Sequence, residues 1–147
     1  MNRLTELKKI YLLVLLNLTL NASAQSITSD WGVKVCNANA KQASLYYSRQ
    51  YDLLIELINL TSSESPARKE GIKLLNERME KIVDSFASDV ETLTNLDARE
   101  KNMVVGLFEN LISKMKWYAY EDVKDGKSKQ PTERIQRKLF SDCIALR

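Results

Sequence analysis

Apolar side chains recur at every third or fourth position along most of this chain, which is the spacing of one face of an α-helix. The series cover residues 36–58, 72–93, 103–118 and 135–146. The chain also contains only four glycines and two prolines, whereas an all-β fold needs many residues suited to tight turns. The spacing and the scarcity of turn residues together predict an all-α protein.

Short polar segments separate these series and carry helix-start signals. Ser65 is a predicted N-cap, and Pro66 follows it at the first helical position, where a missing N–H does no harm. Asp97 and Glu100 have the spacing of a capping box, with aspartate in place of the usual serine or threonine. We therefore expect the second and third helices to begin at these two points.

The third helix is expected to end at Gly126, because glycine readily adopts the left-handed conformation that terminates helices. Pro131 then opens a fourth helix that is much shorter than the first. Short loops between such helices predict a small up-down-up-down helical bundle, three long helices plus a short fourth. One side of this bundle is expected to be open where a full-length fourth helix would have covered it.

The start of the first helix has two interpretations. Trp31, Val33 and Val35 alternate with polar or small residues, which is typical of a short extended segment. Ser29 or Asp30 could equally cap a helix that runs straight into the first apolar series. We prefer the helix.

The first 24 residues have the organisation of a secretory signal peptide. A basic start at residues 3–9 precedes an apolar run over residues 10–20, and small residues in an A-x-A arrangement end at Ala24. An uncleaved membrane anchor is the weaker alternative, since the run is well short of the ~20 residues that span a bilayer. We predict cleavage before Gln25 and a periplasmic or secreted protein.

Cleavage would leave residues 25–147 as a single helical domain. The formal net charge would fall from +3 to about +1, because three basic residues and one acidic residue lie in the leader. The mature chain keeps two cysteines, Cys36 and Cys143, and an even, minimal count in an exported protein predicts one disulfide. In an up-down-up-down bundle both cysteines lie at the same end, so this bridge would close the fold.

Several classes of catalytic site are disfavoured by the residue types present. The chain has no histidine, which removes Ser-His and Cys-His dyads. Glu77, Glu80 and Asp84 share a helix face opposite the apolar series, so they are expected in solvent rather than desolvated as acid–base catalysis requires. We expect no enzyme and predict no catalytic, cofactor-binding or metal-binding residue.

Two clusters of aromatic residues, at positions 46–51 and 117–120, and a basic loop at positions 127–129 are candidates for a protein-binding surface. Tyrosine and tryptophan are favoured at interfaces, although such rings are also ordinary core residues. Because the first and third helices run in the same direction, the two aromatic clusters are expected at the same level of the bundle. The candidate partner-binding residues are Tyr46, Tyr51, Trp117, Tyr120, Lys127 and Lys129.

Charge is distributed unevenly along the chain. Residues 77–100 contain seven acidic and three basic side chains, whereas residues 114–138 contain eight basic and four acidic ones. In an exported protein the basic stretch indicates an acidic partner surface or an anionic envelope polymer rather than nucleic acid. The alternative is a solvated loop and an exposed helix face.

These features predict an exported, non-enzymatic protein-binding module of the inhibitor or immunity type. The expected partner is a protein: a toxin, a cell-wall hydrolase or a subunit of an envelope complex. The alternative is a structural or assembly component of an envelope, secretion or conjugation apparatus. No nucleic acid, no cofactor and no transmembrane segment after signal cleavage are expected, and a homodimer is left open.

Overall fold

The computed structural model describes residues 30–146, and the predicted signal peptide at residues 1–24 lies outside this range. Five helical segments and no strand occur within it. None of these helices combines the length and the hydropathy needed to cross a bilayer. The helices are α1 (Asp30–Ser44), α2 (Tyr47–Leu60), α3 (Pro66–Glu91), α4 (Ala98–Lys124) and α5 (Thr132–Ala145).

The segment before Cys36 is helical, as preferred from the sequence, because α1 begins at Asp30. Trp31 and Val35 are four residues apart, so both lie on the buried face of this helix. Val33 lies on the opposite, exposed face. The alternation of these three apolar residues therefore reflects a helix that buries two of them and leaves the third in solvent.

The first predicted helix, over residues 36–58, is divided in two by a turn at Leu45 and Tyr46. The backbone N–H groups of these two residues donate to carbonyls three positions back, at 3.3 and 3.2 Å, instead of four. The hydroxyl of Ser44 donates to the carbonyl of Lys41 at 2.8 Å and so competes with the helical ladder. With α1 and α2 counted as one interrupted helix, the predicted bundle of three long helices and a short fourth is confirmed.

The predicted helix boundaries are also confirmed. Ser65 Oγ accepts a hydrogen bond from the N–H of Arg68 at 3.2 Å, and Asp97 Oδ1 accepts one from the N–H of Glu100 at 2.8 Å. The second of these bonds holds the pKa of the Asp97 carboxyl below its usual value. α4 ends before Gly126, whose φ of 69° is the left-handed conformation expected of a terminating glycine.

α4 is the central helix of the bundle and packs against all four of the others. Phe108 on its buried face stacks on Phe86 of α3, with ring centroids 4.0 Å apart. On another side, the Asn39 side chain of α1 donates to the backbone carbonyl of Val104 at 3.1 Å. Since this amide is fully buried, the hydrogen bond fixes the position of α1 along α4.

The predicted disulfide between Cys36 and Cys143 is present, with the two Cα atoms 5.5 Å apart. It joins the first turns of α1 to the last turn of α5, and both cysteines are completely buried. The bridge spans 107 positions of sequence and lies at the end of the bundle where α1 begins and α5 ends. The short fourth helix is therefore attached covalently to the first.

α5 and α3 pack on different sets of helices. α5 packs mainly on α1, less on α4, and only slightly on α2. α3 instead packs on α4 and on α2. The candidate functional site lies where α2, α3 and the C-terminal half of α4 meet.

Candidate functional site

A groove of about 400 Å³ lies between α2, α3 and α4, and we call it the aromatic groove. α2 forms one wall, α3 the opposite wall, and α4 contributes the floor and the rim. Most of its lining is apolar or aromatic, which is typical of small-molecule and peptide-binding clefts. The lining residues are Gln50, Leu54, Ile72, Leu75, Asn76, Ser113, Lys116, Trp117 and Tyr120.

Two of the predicted binding residues, Trp117 and Tyr120, lie in this groove. They are three positions apart on α4 and therefore share a face. Trp117 is 56% exposed and Tyr120 is 46% exposed, which is unusually open for rings of this size. Both project from the central helix, so the backbone that carries them is held by the packing of the whole bundle.

The Trp117 ring also packs against the ring of the next residue, Tyr118. It stands edge-on against the Tyr118 ring, with centroids 5.6 Å apart. The Tyr118 hydroxyl donates to Asp142 Oδ2 of α5 at 2.5 Å, and the Lys138 ammonium lies 5.2 Å from the centroid of the Tyr118 ring. Tyr118, which contacts the Trp117 ring, is therefore held in place. A partner that covers the Trp117 ring would have to order few further side chains.

Gln50 is a binding candidate that the sequence interpretation missed. Its side chain is only 3% exposed and lines the groove, yet Oε1 accepts no hydrogen bond from any residue in the range 30–146. An unsatisfied buried acceptor costs roughly 1–3 kcal/mol. The signal was in the sequence, because Gln50 lies between Tyr47 and Leu54 at helical spacing and is thus a polar residue on the buried face.

A second cavity, of about 190 Å³, adjoins the aromatic groove between α3 and α4. The two share Ser113 and Lys116 as lining residues, and the Lys116 ammonium donates to Asn76 Oδ1 at 3.4 Å across the boundary. We call this second space the acidic cavity, because three carboxylates line it alongside apolar side chains. They are Glu80, Asp84 and Glu109.

The three carboxylates of the acidic cavity are exposed, as the sequence predicts for Glu80 and Asp84. None of the three forms an ion pair with another residue of the described part of the chain. No cluster of three or more potential metal ligands occurs among residues 30–146. The cavity therefore presents three carboxylates, two on α3 and one on α4, together with the ammonium of Lys116.

Three other predicted residues lie together around the α4–α5 loop. The Tyr51 hydroxyl donates to the backbone carbonyl of Lys127 at 2.6 Å. The Lys129 ammonium lies 3.1 Å from Asp52 Oδ1, and the Lys127 ammonium lies 3.9 Å from Asp125 Oδ2. Tyr51, through the Lys127 carbonyl, and Lys129, through Asp52, thus attach the loop to α2, and none of the three predicted residues lines the aromatic groove.

Tyr46, the remaining predicted residue, belongs to the core. It lies in the turn between α1 and α2, where its ring is buried and burial raises the pKa of its hydroxyl. It continues the buried series of Asn39 and Gln42 at helical spacing. It contributes nothing to the surface of the groove.

A buried polar network that the sequence did not indicate lies behind the loop. The Tyr47 hydroxyl donates to Asp122 Oδ2 at 2.6 Å, and the Gln130 side chain donates to the same oxygen at 2.5 Å. The Gln130 backbone N–H in turn donates to the Tyr47 hydroxyl at 3.1 Å. These bonds connect α2, the end of α4 and the start of α5, so they position the helices that frame the groove.

Comparisons of the chain with protein-family models, with curated proteins and with solved structures found no match.

Proposed function

We propose that this protein is an exported, non-enzymatic protein-binding module of the inhibitor or immunity type, which blocks the action of a partner protein. The observation that carries the proposal is the pair of exposed rings, Trp117 and Tyr120, on the rim of the aromatic groove. Tryptophan and tyrosine are the side chains that most often dominate the energy of protein interfaces.

The scaffold behind these rings supports a binding role. α4 contacts every other helix, and the Cys36–Cys143 disulfide holds the two ends of the domain together. A rigid surface loses little conformational entropy when it binds, which favours affinity. The groove between α2, α3 and α4 also has the form used by helical domains that accept a segment of another protein.

The disulfide supports the proposed location. Disulfides persist in oxidising compartments such as the bacterial periplasm and the extracellular space, and they are rare in the cytosol. The described part of the chain contains no free cysteine. Together with the predicted signal peptide, these observations support a periplasmic or secreted protein.

The proposal is tested by affinity capture with the oxidised mature chain, residues 25–147, as bait in an extract of the cell envelope. The expected result is one stoichiometric enzyme or toxin whose activity falls when the protein is added. Trp117→Ala should abolish the capture and the inhibition. Leu74→Ala is the matched control, since Leu74 is 55% exposed on α3 but lines neither the groove nor the acidic cavity.

One result would contradict the proposed inhibitor, and another would contradict the proposed binding surface. Capture of several subunits of one membrane complex, with no loss of an enzymatic activity, would instead assign the protein to an envelope, secretion or conjugation apparatus. Equal capture by Trp117→Ala and by the unchanged protein would show that the groove is not the binding surface.

A further inference from the structure

We propose that the aromatic groove and the acidic cavity together bind a single segment of the partner protein, which carries an apolar side chain followed or preceded by lysine or arginine. This inference rests on the proposed function and specifies the chemistry of the partner. It starts from the adjacency of the two spaces, which have Ser113 and Lys116 of α4 as common lining residues. A segment lying along α4 would therefore pass from one space into the other.

The aromatic groove would take the apolar side chain. Leu54 of α2 and Leu75 of α3 line its opposite walls, and Trp117 and Tyr120 stand at its rim. A partner side chain placed between them would remove the exposed faces of both rings from water, and burial of apolar surface is the main favourable contribution at such sites. Aliphatic and aromatic residues are the side chains of suitable shape and chemistry.

The acidic cavity would take the basic side chain. Glu80 and Asp84 face the cavity from α3 and Glu109 faces it from α4, with Lys116 as the nearby cation. The Lys116 ammonium is directed to Asn76 at the boundary, and within residues 30–146 none of the three carboxylates forms an ion pair. A lysine or arginine of the partner would supply a counter-charge and relieve the mutual repulsion of the three carboxylates.

The expected distance between the apolar and the basic side chain of the partner follows from helix geometry. Trp117 and Glu109 are eight positions apart on α4, which corresponds to about 12 Å at the helical rise of 1.5 Å per residue. The apolar and basic side chains of the partner should be separated by a similar distance. That is about two turns of a helix, or three to four residues of an extended chain.

Gln50 adds a polar requirement at the apolar end. Its Oε1 accepts no hydrogen bond from residues 30–146, and the side chain lines the groove. The terminal amide torsion of glutamine has a broad energy minimum, so Oε1 can turn toward an occupant at little cost. The partner segment should therefore provide an N–H or O–H donor beside its apolar side chain.

The experiment uses a phage library of random peptides of about 12 residues, long enough to cover both spaces in either conformation. The library is selected on the oxidised mature protein. Enriched peptides should combine an apolar residue with lysine or arginine at one of the two predicted spacings. Synthetic copies should bind the Trp117→Ala protein about 30-fold or more weakly, as expected for the loss of an interface hot spot.

A triple variant, Glu80→Gln, Asp84→Asn and Glu109→Gln, tests the acidic cavity. It should weaken binding about five- to tenfold at low ionic strength and less at high salt, because exposed charge pairs are screened. The control variant is Glu56→Gln, Glu64→Gln and Glu70→Gln, which changes the net charge equally at exposed positions outside both spaces. Gln50→Met should weaken binding without lowering the melting temperature.

The outcomes separate this inference from the proposed function. Peptides that need Trp117 but show no basic residue, and that bind the triple variant normally, would overturn the inference and leave a protein-binding groove. Enrichment that is equal on the Trp117→Ala protein would overturn both. Sedimentation showing a dimer that Trp117→Ala dissociates would assign the groove to a second copy of the chain and overturn the inference as well.

Discussion

The Tyr47 hydroxyl donates a hydrogen bond of 2.6 Å to Asp122 Oδ2 across 75 positions of sequence, and the pair is buried where α2 meets the end of α4. The same carboxylate oxygen accepts a bond from Gln130, the residue before Pro131 and α5. This one acceptor thus connects three parts of the chain. The first prediction tests this network, and the second concerns Tyr47 together with Tyr118.

Tyr47→Phe should lower the free energy of unfolding by about 1.5–3 kcal/mol, the usual contribution of a hydrogen bond to a charged group. The substitution removes the donor to Asp122 and also the acceptor of the Gln130 N–H. Urea denaturation measures the effect. Tyr51→Phe is the matched control, since its hydroxyl bonds the Lys127 carbonyl at an exposed position and should contribute much less. Equal losses in the two variants would contradict the structural role of the network.

The protein should lose stability at alkaline pH. Burial, together with hydrogen bonds to Asp122 and Asp142, raises the pKa values of Tyr47 and Tyr118 above their usual value near 10. Above pH 10 the unfolded chain therefore binds fewer protons than the folded one, so the free energy of unfolding falls as pH rises. Below pH 10 these two tyrosines should have no effect on the pH dependence.

Denaturation curves recorded between neutral pH and pH 11 test the alkaline prediction. The double variant Tyr47→Phe and Tyr118→Phe separates the contribution of these two hydroxyls from that of every other titrating group, including Tyr46. Its stability should decline less steeply above pH 10 than that of the unchanged protein. Identical slopes would show that the two hydroxyls do not control the alkaline transition.

Reduction of the Cys36–Cys143 disulfide should lower the free energy of unfolding by about 4–5 kcal/mol, because the bridge closes a loop of about 107 residues in the unfolded chain. For a domain with a total stability of ~5–15 kcal/mol, such a loss is a large fraction. Thermal unfolding with and without reductant measures the difference. The double variant Cys36→Ala and Cys143→Ala should show no response to reductant, and an unchanged melting temperature of the native protein would contradict the prediction.

Two glycine substitutions should change stability in opposite directions. Gly106 lies within α4, and an added Cβ would have no neighbour within 4 Å. Gly106→Ala should therefore raise the free energy of unfolding by about 0.5–1 kcal/mol through helix propensity. Gly126 has a φ of 69°, so Gly126→Ala should lower it by about 1–2 kcal/mol although space for the methyl group is available. Equal effects of the two substitutions would contradict this account of the α4 terminus.

The candidate site was predictable only in part. Trp117 and Tyr120 were identified because they belong to one of two clusters of aromatic residues, and the structure places both at the groove. Tyr46 and Tyr51 satisfied the same criterion, yet one is buried and the other attaches a loop. Residue type does not distinguish these cases, because the exposure of a ring depends on which other helix covers it.

Sequence alone determined the helical character of the chain, the boundaries at Ser65, Asp97 and Gly126, and the partner of each cysteine. Helix spacing and capping depend on local residue patterns, and two cysteines can pair in only one way, so a single sequence is enough to predict them. Only the structure showed the interruption at residues 45–46, the buried network around Asp122, and the adjacency of the aromatic groove and the acidic cavity. The network and the adjacency of the two spaces depend on which side of α4 each helix packs, and no local sequence pattern encodes that choice.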